Sequence, residues 1–143
     1  MKNPVIPILL LVFLVFSCGE NKQAGKKSAD KHSAKETFQT GKIIENVECR
    51  NDPSLSFSLY LPSGYTEKNQ YPVIYLFDPR GLGILPVRVF RESAESFGYI
   101  LVGSHDMKNG LTWDKISRIA SMLFDDVNSR LSIDERKVFI AGF

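Results

Sequence analysis

Apolar positions change their spacing several times along this chain, and each change predicts an element. Leu55, Phe57, Leu59 and Leu61 alternate with Ser54, Ser56, Ser58 and Tyr60. That period of two fits a strand with one buried face. Lys42 to Cys49 repeats it more weakly, with Val47 and Cys49 on one side, and Asn51-Asp52-Pro53 between the two runs is turn chemistry. The pair therefore reads as an antiparallel hairpin. Pro62-Ser63-Gly64 and the polar stretch from Glu67 to Gln70 form a loop. Val73-Ile74-Tyr75-Leu76-Phe77 is then continuously apolar, as expected of a strand covered on both faces.

Asp78-Pro79-Arg80-Gly81-Leu82-Gly83 interrupts that run, and a helix is expected from about Pro86 to Phe97. Proline suits a first helical turn, Phe90, Ala94 and Phe97 share a face, and Gly98 suits the stop. Tyr99 to Val102 reads as a second short apolar strand, and Gly103 to Gly110 as a polar loop. Thr112 can cap a second helix with Asp114 in its first turn. Its apolar stripe is Trp113, Ile116, Ala120, Leu123, Val127 and Leu131, which leaves Asp125 and Asp126 to the solvated face. Ser132-Ile133-Asp134-Glu135 resembles a capping-box turn, and Val138-Phe139-Ile140-Ala141 is a third continuous apolar strand before Gly142 and Phe143. The expected fold class is α/β: an N-terminal β-hairpin followed by a βαβαβ parallel sheet.

The region before this domain has a different character. Lys2 is followed by a run from Val5 to Phe16 without a charge, broken only by Pro7. A bilayer span needs about 20 apolar residues, so this run fits the core of a secretory signal rather than a membrane helix. It ends Val15-Phe16-Ser17-Cys18. A small residue before cysteine, behind an apolar run, resembles the bacterial lipobox. The resemblance implies that residues 1–17 are a lipoprotein signal peptide and that Cys18 is acylated. The protein would then be exported and anchored in membrane lipid at the outer membrane or cell surface. Residues 18–36 hold Lys22, Lys26, Lys27, Lys31 and Lys35 with no apolar period, and read as a disordered tether. An ordinary cleaved signal with an incidental Cys18 is the plainer alternative.

Net charge is +2, but most of the excess sits in that tether. From Thr37 onward 12 basic side chains face 13 acidic ones, so the domain carries no nucleic-acid-binding face. Two cysteines make no disulfide framework, and Cys49 reads as a half-buried strand thiol.

Leu61-Pro62-Ser63-Gly64-Tyr65, followed by Tyr71-Pro72-Val73-Ile74-Tyr75-Leu76-Phe77, resembles the opening of secreted esterases of the α/β-hydrolase superfamily. Dienelactone-hydrolase-like and polyhydroxyalkanoate-depolymerase-like enzymes are nearest in style. Asp134 to Phe143 resembles the strand leading to their nucleophile elbow, G-x-S-x-G. The likeness covers roughly Lys42 to Phe143. It implies a partial α/β-hydrolase fold in residues 37–143, cut off at the nucleophile strand, with Gly142 and Phe143 as the start of the elbow. It also implies that the loop after the first parallel strand supplies an oxyanion donor. Backbone N–H groups of Arg80 or Gly81 are the candidates, because an oxyanion needs aimed donors rather than a particular side chain. Pro79 has no N–H.

His105, in Gly103-Ser104-His105-Asp106, lies past a strand end, where open α/β sheets bind ligands. It precedes the elbow, so it is out of order for the family's base and reads as a cleft-lining residue at most. Ser104, His105 and Asp106 are adjacent and cannot converge on one reacting atom. Trp113 could line the cleft, with core packing the plainer reading. No metal site stands out, and the implied chemistry needs no cofactor. A small ester or glycan-linked ester is the implied substrate of an intact enzyme. The competing function is a non-catalytic surface lipoprotein that uses the half-sheet for binding or assembly.

An apolar final strand is expected to sit inside a larger sheet, so the 143 residues are expected to be a fragment. They lack the serine, acid and histidine of the implied triad. Purified protein is therefore expected to leave p-nitrophenyl acetate at its buffer rate; clear turnover above that rate would overturn the expectation.

Overall fold

A computed structural model describes residues 37–142; Cys18, the tether and Phe143 lie outside the described residues. The elements are β1 (Ile43–Glu48), β2 (Ser56–Tyr60), β3 (Tyr71–Phe77), α1 (Ile84–Phe97), β4 (Ile100–Ser104), α2 (Trp113–Arg130) and β5 (Ile133–Gly142). They form a mixed five-stranded sheet with two helices, in the strand order β1-β2-β4-β3-β5. β1 and β2 make the expected antiparallel hairpin. β3 is parallel to both β4 and β5, while β2 joins β4 antiparallel, so the hairpin extends the sheet rather than standing apart from it.

The helices cover opposite faces. Ile119, Leu123 and Val127 of α2 pack with Phe57, Leu59, Val73, Tyr75 and Val102. Val87 and Ala94 of α1 pack with the intervening positions Tyr60, Leu76 and Leu101. Alternate residues of one strand thus enter different cores, as the pleat requires.

This corrects the one-sided reading of β2. Ser58 and Tyr60 were expected in solvent, but both are buried. Each keeps its polar atom satisfied. The Ser58 hydroxyl donates to the Glu45 carbonyl at 2.7 Å, and the Tyr60 hydroxyl donates to Glu95 Oε2 at 2.5 Å. Burial first, and the Glu95 bond second, push the Tyr60 phenol up to about 12. The Glu45 carbonyl is free to accept because β1 bulges there: between Ile44↔Leu59 and Val47↔Phe57, two residues face one.

α1 is held against the sheet by a backbone contact. A Cβ on Gly103 would lie 2.1 Å from the Gly83 carbonyl oxygen, and one on Gly83 would lie 2.2 Å from that of Gly103. No side chain fits between the start of α1 and β4. Gly98 ends α1 in the left-handed region, as expected. Phe97, expected on the buried face with Ala94, is 76% exposed. It points past the covered part of the sheet, over Phe139 and Ile140 of β5.

α2 departs most from its expected stripe. Its buried residues are Ile119, Leu123, Asp126, Val127 and Arg130. Trp113 is 80% exposed, so it is not core, and Asp126, expected in solvent, is 1% exposed. Asp126 Oδ2 accepts from Arg130 Nη1 at 2.6 Å, and Asp126 Oδ1 accepts the Arg50 N–H at 2.8 Å. Arg130 Nη1 also donates to the Glu48 carbonyl at 3.0 Å. Its guanidinium lies 4.8 Å from the centre of the Phe38 ring. Beside this pair Cys49 is fully rather than half buried. Burial first, then the Asp126 charge, push its thiol up to about 11 from 9.0.

Removing one member of a buried pair strands the other's charge, which costs about 3–5 kcal/mol. Asp126→Ala is therefore expected to lower the urea midpoint steeply, while the double variant Asp126→Leu, Arg130→Met loses far less than the sum of the singles.

Cys49 gives a pH signature of definite sign. Between pH 9 and 11 the unfolded thiol ionises while the folded thiol keeps its proton. Its contribution is complete below pH 9 and is lost as pH rises toward 11. Cys49→Ala is expected to flatten the fall in stability between pH 9 and 10, before the tyrosines take over; an unchanged slope would refute the assignment.

Candidate functional site

The strand order fixes where chemistry can collect. From β3 the chain crosses through α1 to β4 on one side, and from β4 it crosses through α2 to β5 on the other. β3 and β5 are thus neighbours, with α1 leaving β3 over one face and α2 leading to β5 over the other, and open α/β sheets bind ligands at the carboxyl ends of their strands. A crevice of about 160 Å3 lies there. Its walls are Phe77, Asp78 and Pro79 at the end of β3, Gly142 of β5, Met107, Lys108 and Asn109 of the β4–α2 loop, and Ile116 of α2. Phe77 and Gly142 are register partners, so the ends of the two strands meet side by side.

The β3–α1 loop is organised by Asp78. Its Oδ1 accepts the Arg80 N–H at 2.9 Å and the Leu82 N–H at 3.3 Å, with Arg80 Nε at 3.5 Å. The Arg80 N–H bond first, reinforced by that of Leu82, holds the carboxyl below the usual range. The Gly81 N–H donates to the Asp78 carbonyl at 2.9 Å, closing a turn. Gly81 has φ +74°, and a Cβ there would lie 2.5 Å from the His105 carbonyl oxygen, so the position admits no side chain. The Asn109 N–H donates to the Pro79 carbonyl at 2.9 Å and ties the two loops together.

Arg80 and Gly81 follow the wall residues Asp78 and Pro79 but are not in the crevice wall themselves, and both N–H groups are engaged within their own turn. To serve an oxyanion they must exchange Asp78 for the substrate oxygen. Gly142 lines the crevice; Phe143 and Cys18 lie outside the described residues.

His105 is not part of the crevice wall. Its Nε2 lies 2.9 Å from the Glu45 carbonyl and 3.1 Å from Ser58 Oγ. Because that carbonyl only accepts, Nε2 carries the proton, and Ser58 spends its own proton on the same oxygen. The buried Ser58 and the half-buried His105 are thus a clasp on the β1 bulge and not a nucleophile with its base. The neighbours of His105 also point elsewhere. Ser104 Oγ accepts the Met107 N–H at 3.0 Å, and Asp106 Oδ2 accepts the Ser56 N–H at 2.8 Å.

Trp113 begins α2, one turn before Ile116. The roles of Asp78, Met107 and Asn109 were missed in the sequence, where only the Asp-Pro-x-Gly turn chemistry signalled the first of them.

A larger groove, about 500 Å3, lies between α1 and β5, lined by Ile74, Phe90, Ala94, Phe97, Tyr99 and Phe139 among others. Its lining is almost wholly apolar and holds no carboxylate, imidazole or cationic side chain. The smaller crevice is the better chemical site.

Among the described residues no group of His, Cys, Asp or Glu could hold a metal ion, and no helix is long and apolar enough to cross a membrane. The fold is an α/β protein with a mixed five-stranded sheet, and its candidate crevice opens where the parallel strands β3 and β5 end. No protein-family model matches the chain, and no curated protein matches it.

Proposed function

We propose that the domain beginning at Thr37 belongs to the serine ester hydrolases of the α/β-hydrolase superfamily. In this reading the protein is exported and held at a bacterial outer membrane or cell surface by an acylated Cys18. The observation that carries the reading is the meeting of two strand ends. The β3–α1 loop, source of one oxyanion donor in such enzymes, and Gly142, first residue of the inferred elbow, line the same crevice. The nucleophilic serine would take the position after Phe143. Its hydroxyl would then face the loop of Arg80 and Gly81 across the end of β3. A small acyl ester or an acylated glycan is the inferred substrate, and no cofactor enters the reaction.

The two halves of the proposal are tested separately. Growth with a labelled fatty acid is expected to mark the wild-type protein and not Cys18→Ser; equal labelling of both would remove the anchor. Extending the chain through the residues its reading frame encodes after Phe143 is expected to add Ser-x-Gly, and with it labelling by a fluorophosphonate probe. A frame that places no serine there would sink the hydrolase reading.

A further inference from the structure

β5 is an edge of the sheet, and among the described residues no strand pairs with its outer side. Its two halves differ. Between Tyr71↔Ile133 and Val73↔Val138 its ladder with β3 is irregular, and Asp134, Glu135, Arg136 and Lys137 fill that stretch. A bulge and charges are the usual defences of a sheet edge. From Val138 to Gly142 the ladder is regular and no residue is charged. Register puts Val138 and Ile140 beside Val73 and Tyr75 on the α2 face, and Phe139 beside Ile74 on the α1 face. These three are 41%, 62% and 47% exposed, and Phe97 of α1 lines the same groove. An aromatic side chain buries about 150–250 Å2, so Phe97 and Phe139 alone leave about 250 Å2 in water. An apolar patch of several hundred Å2 on a soluble protein marks an interaction site.

The form of the patch selects its occupant. A small apolar ligand could fill the groove but would leave the backbone edge unpaired. A bilayer does no better, because hydrocarbon satisfies no N–H or C=O group. A strand covers both, and the sequence of β5 suits a second β5. Antiparallel pairing centred on Phe139 sets Phe139 against Phe139 and Val138 against Ile140 on both sides of the centre, so apolar meets apolar on each face. Lys137 then faces Ala141, and Arg136 faces Gly142. The charged halves do not repel, since two acids offset two bases: Arg136 Nε lies 3.1 Å and Lys137 Nζ 3.5 Å from the carboxylate of Asp134 in their own chain. The other edge of the sheet stops the assembly at two. β1 is six residues long, bulges between Ile44 and Val47 and exposes Glu45 and Glu48, so it is no template for a third copy.

We infer that the chain forms a two-fold dimer in which β5 pairs antiparallel with β5 of a second copy, joining two five-stranded sheets into one. The axis passes through Phe139, normal to the sheet. Both copies of α1 then lie on the same face, and their two grooves merge over the paired Phe139 rings. Such a contact is isologous: each copy uses the same patch, and none is left over. The dimer needs no nucleophile, so it stands apart from the hydrolase reading.

Sedimentation equilibrium of the purified full chain, from micromolar to millimolar concentration, is expected to show a reversible species of twice the 16.1 kDa chain mass. Ile140→Lys sets a charge in apolar surroundings on each side of the axis and is expected to raise the dissociation constant roughly a hundredfold or more. Because Ile140 is exposed, the dilute variant should keep the wild-type thermal transition. Phe139→Cys gives a second readout that needs no loss. Residues directly opposite in an antiparallel pair have Cα atoms about 4.5–5.5 Å apart, within disulfide range. Mild oxidation is therefore expected to join two Phe139→Cys chains, while Ser121→Cys, on the exposed side of α2, stays at the wild-type level. A monomer at every concentration overturns the inference, as does a mass that grows past two copies. A dimer unchanged in Ile140→Lys places the contact on another surface and overturns it too. So does a Phe139→Cys chain that cross-links no better than Ser121→Cys.

Discussion

One carboxylate–guanidinium pair inside the α2 face holds three separated parts of the chain. Asp126 and Arg130 neutralise each other, and their remaining bonds run to the Arg50 N–H and the Glu48 carbonyl at the end of β1. The same guanidinium lies over Phe38, in the residues that lead into the domain. A buried ion pair adds little net stability compared with a well-packed apolar substitute, but breaking it is costly. Its value here is therefore placement. It favours one seating of the hairpin on α2, because any other forfeits the bonds from the Arg50 N–H to Asp126 and from Arg130 to the Glu48 carbonyl. The hairpin in turn supplies β2, the strand that covers the outer side of β4.

Placement then passes from β4 to the crevice through backbone contacts. Gly103 lets the start of α1 approach the strand, and Gly81 lets the β3–α1 loop rest on the His105 carbonyl. His105 reaches back to the bulge of β1, and Asp106 to the first residue of β2. The loop that walls the crevice is thus fixed at both ends: by Asp78 within its own turn and by the hairpin through residues 104–106. Side chains in the elements expected to be structural turn out to aim the loops expected to be functional.

The element order was legible because periodicity reports burial, and the buried strands are long enough to show it. What could not be read was the second face of each element. Ser58 and Asp126 look like surface residues because polarity is the usual sign of solvent, yet each is buried against a partner distant in sequence, Asp126 with Arg130 one turn along α2 as well. Glu45 and Arg50 supply those partners, and nothing local marks them. Phe97 and Trp113 fail in the opposite direction: their types predict burial, but the sheet beneath Phe97 is uncovered and α2 begins before it reaches the core. The position of the candidate site was legible only as an edge, since the strand that would stand beside β3 depends on crossovers that periodicity does not encode. The engagement of the Arg80 and Gly81 N–H groups by Asp78 was invisible for the same reason.

That engagement bears on how the crevice could act. Two backbone N–H groups, from Arg80 and Leu82, converge on a single carboxylate oxygen at 2.9 and 3.3 Å. A carboxylate kept ionised by such donors is a poor proton donor or acceptor near neutral pH, so Asp78 is ill suited to general acid–base work. Its role is to set the loop. The chemistry at this edge therefore has to come from groups brought to the end of β5, beside Gly142, while the β3–α1 loop contributes shape and dipoles. The larger apolar groove on the α1 side can contribute neither, because electrostatic stabilisation needs donors fixed in place before charge develops. A site for polar chemistry in this sheet lies where its backbone ends, not where its greasiest surface is.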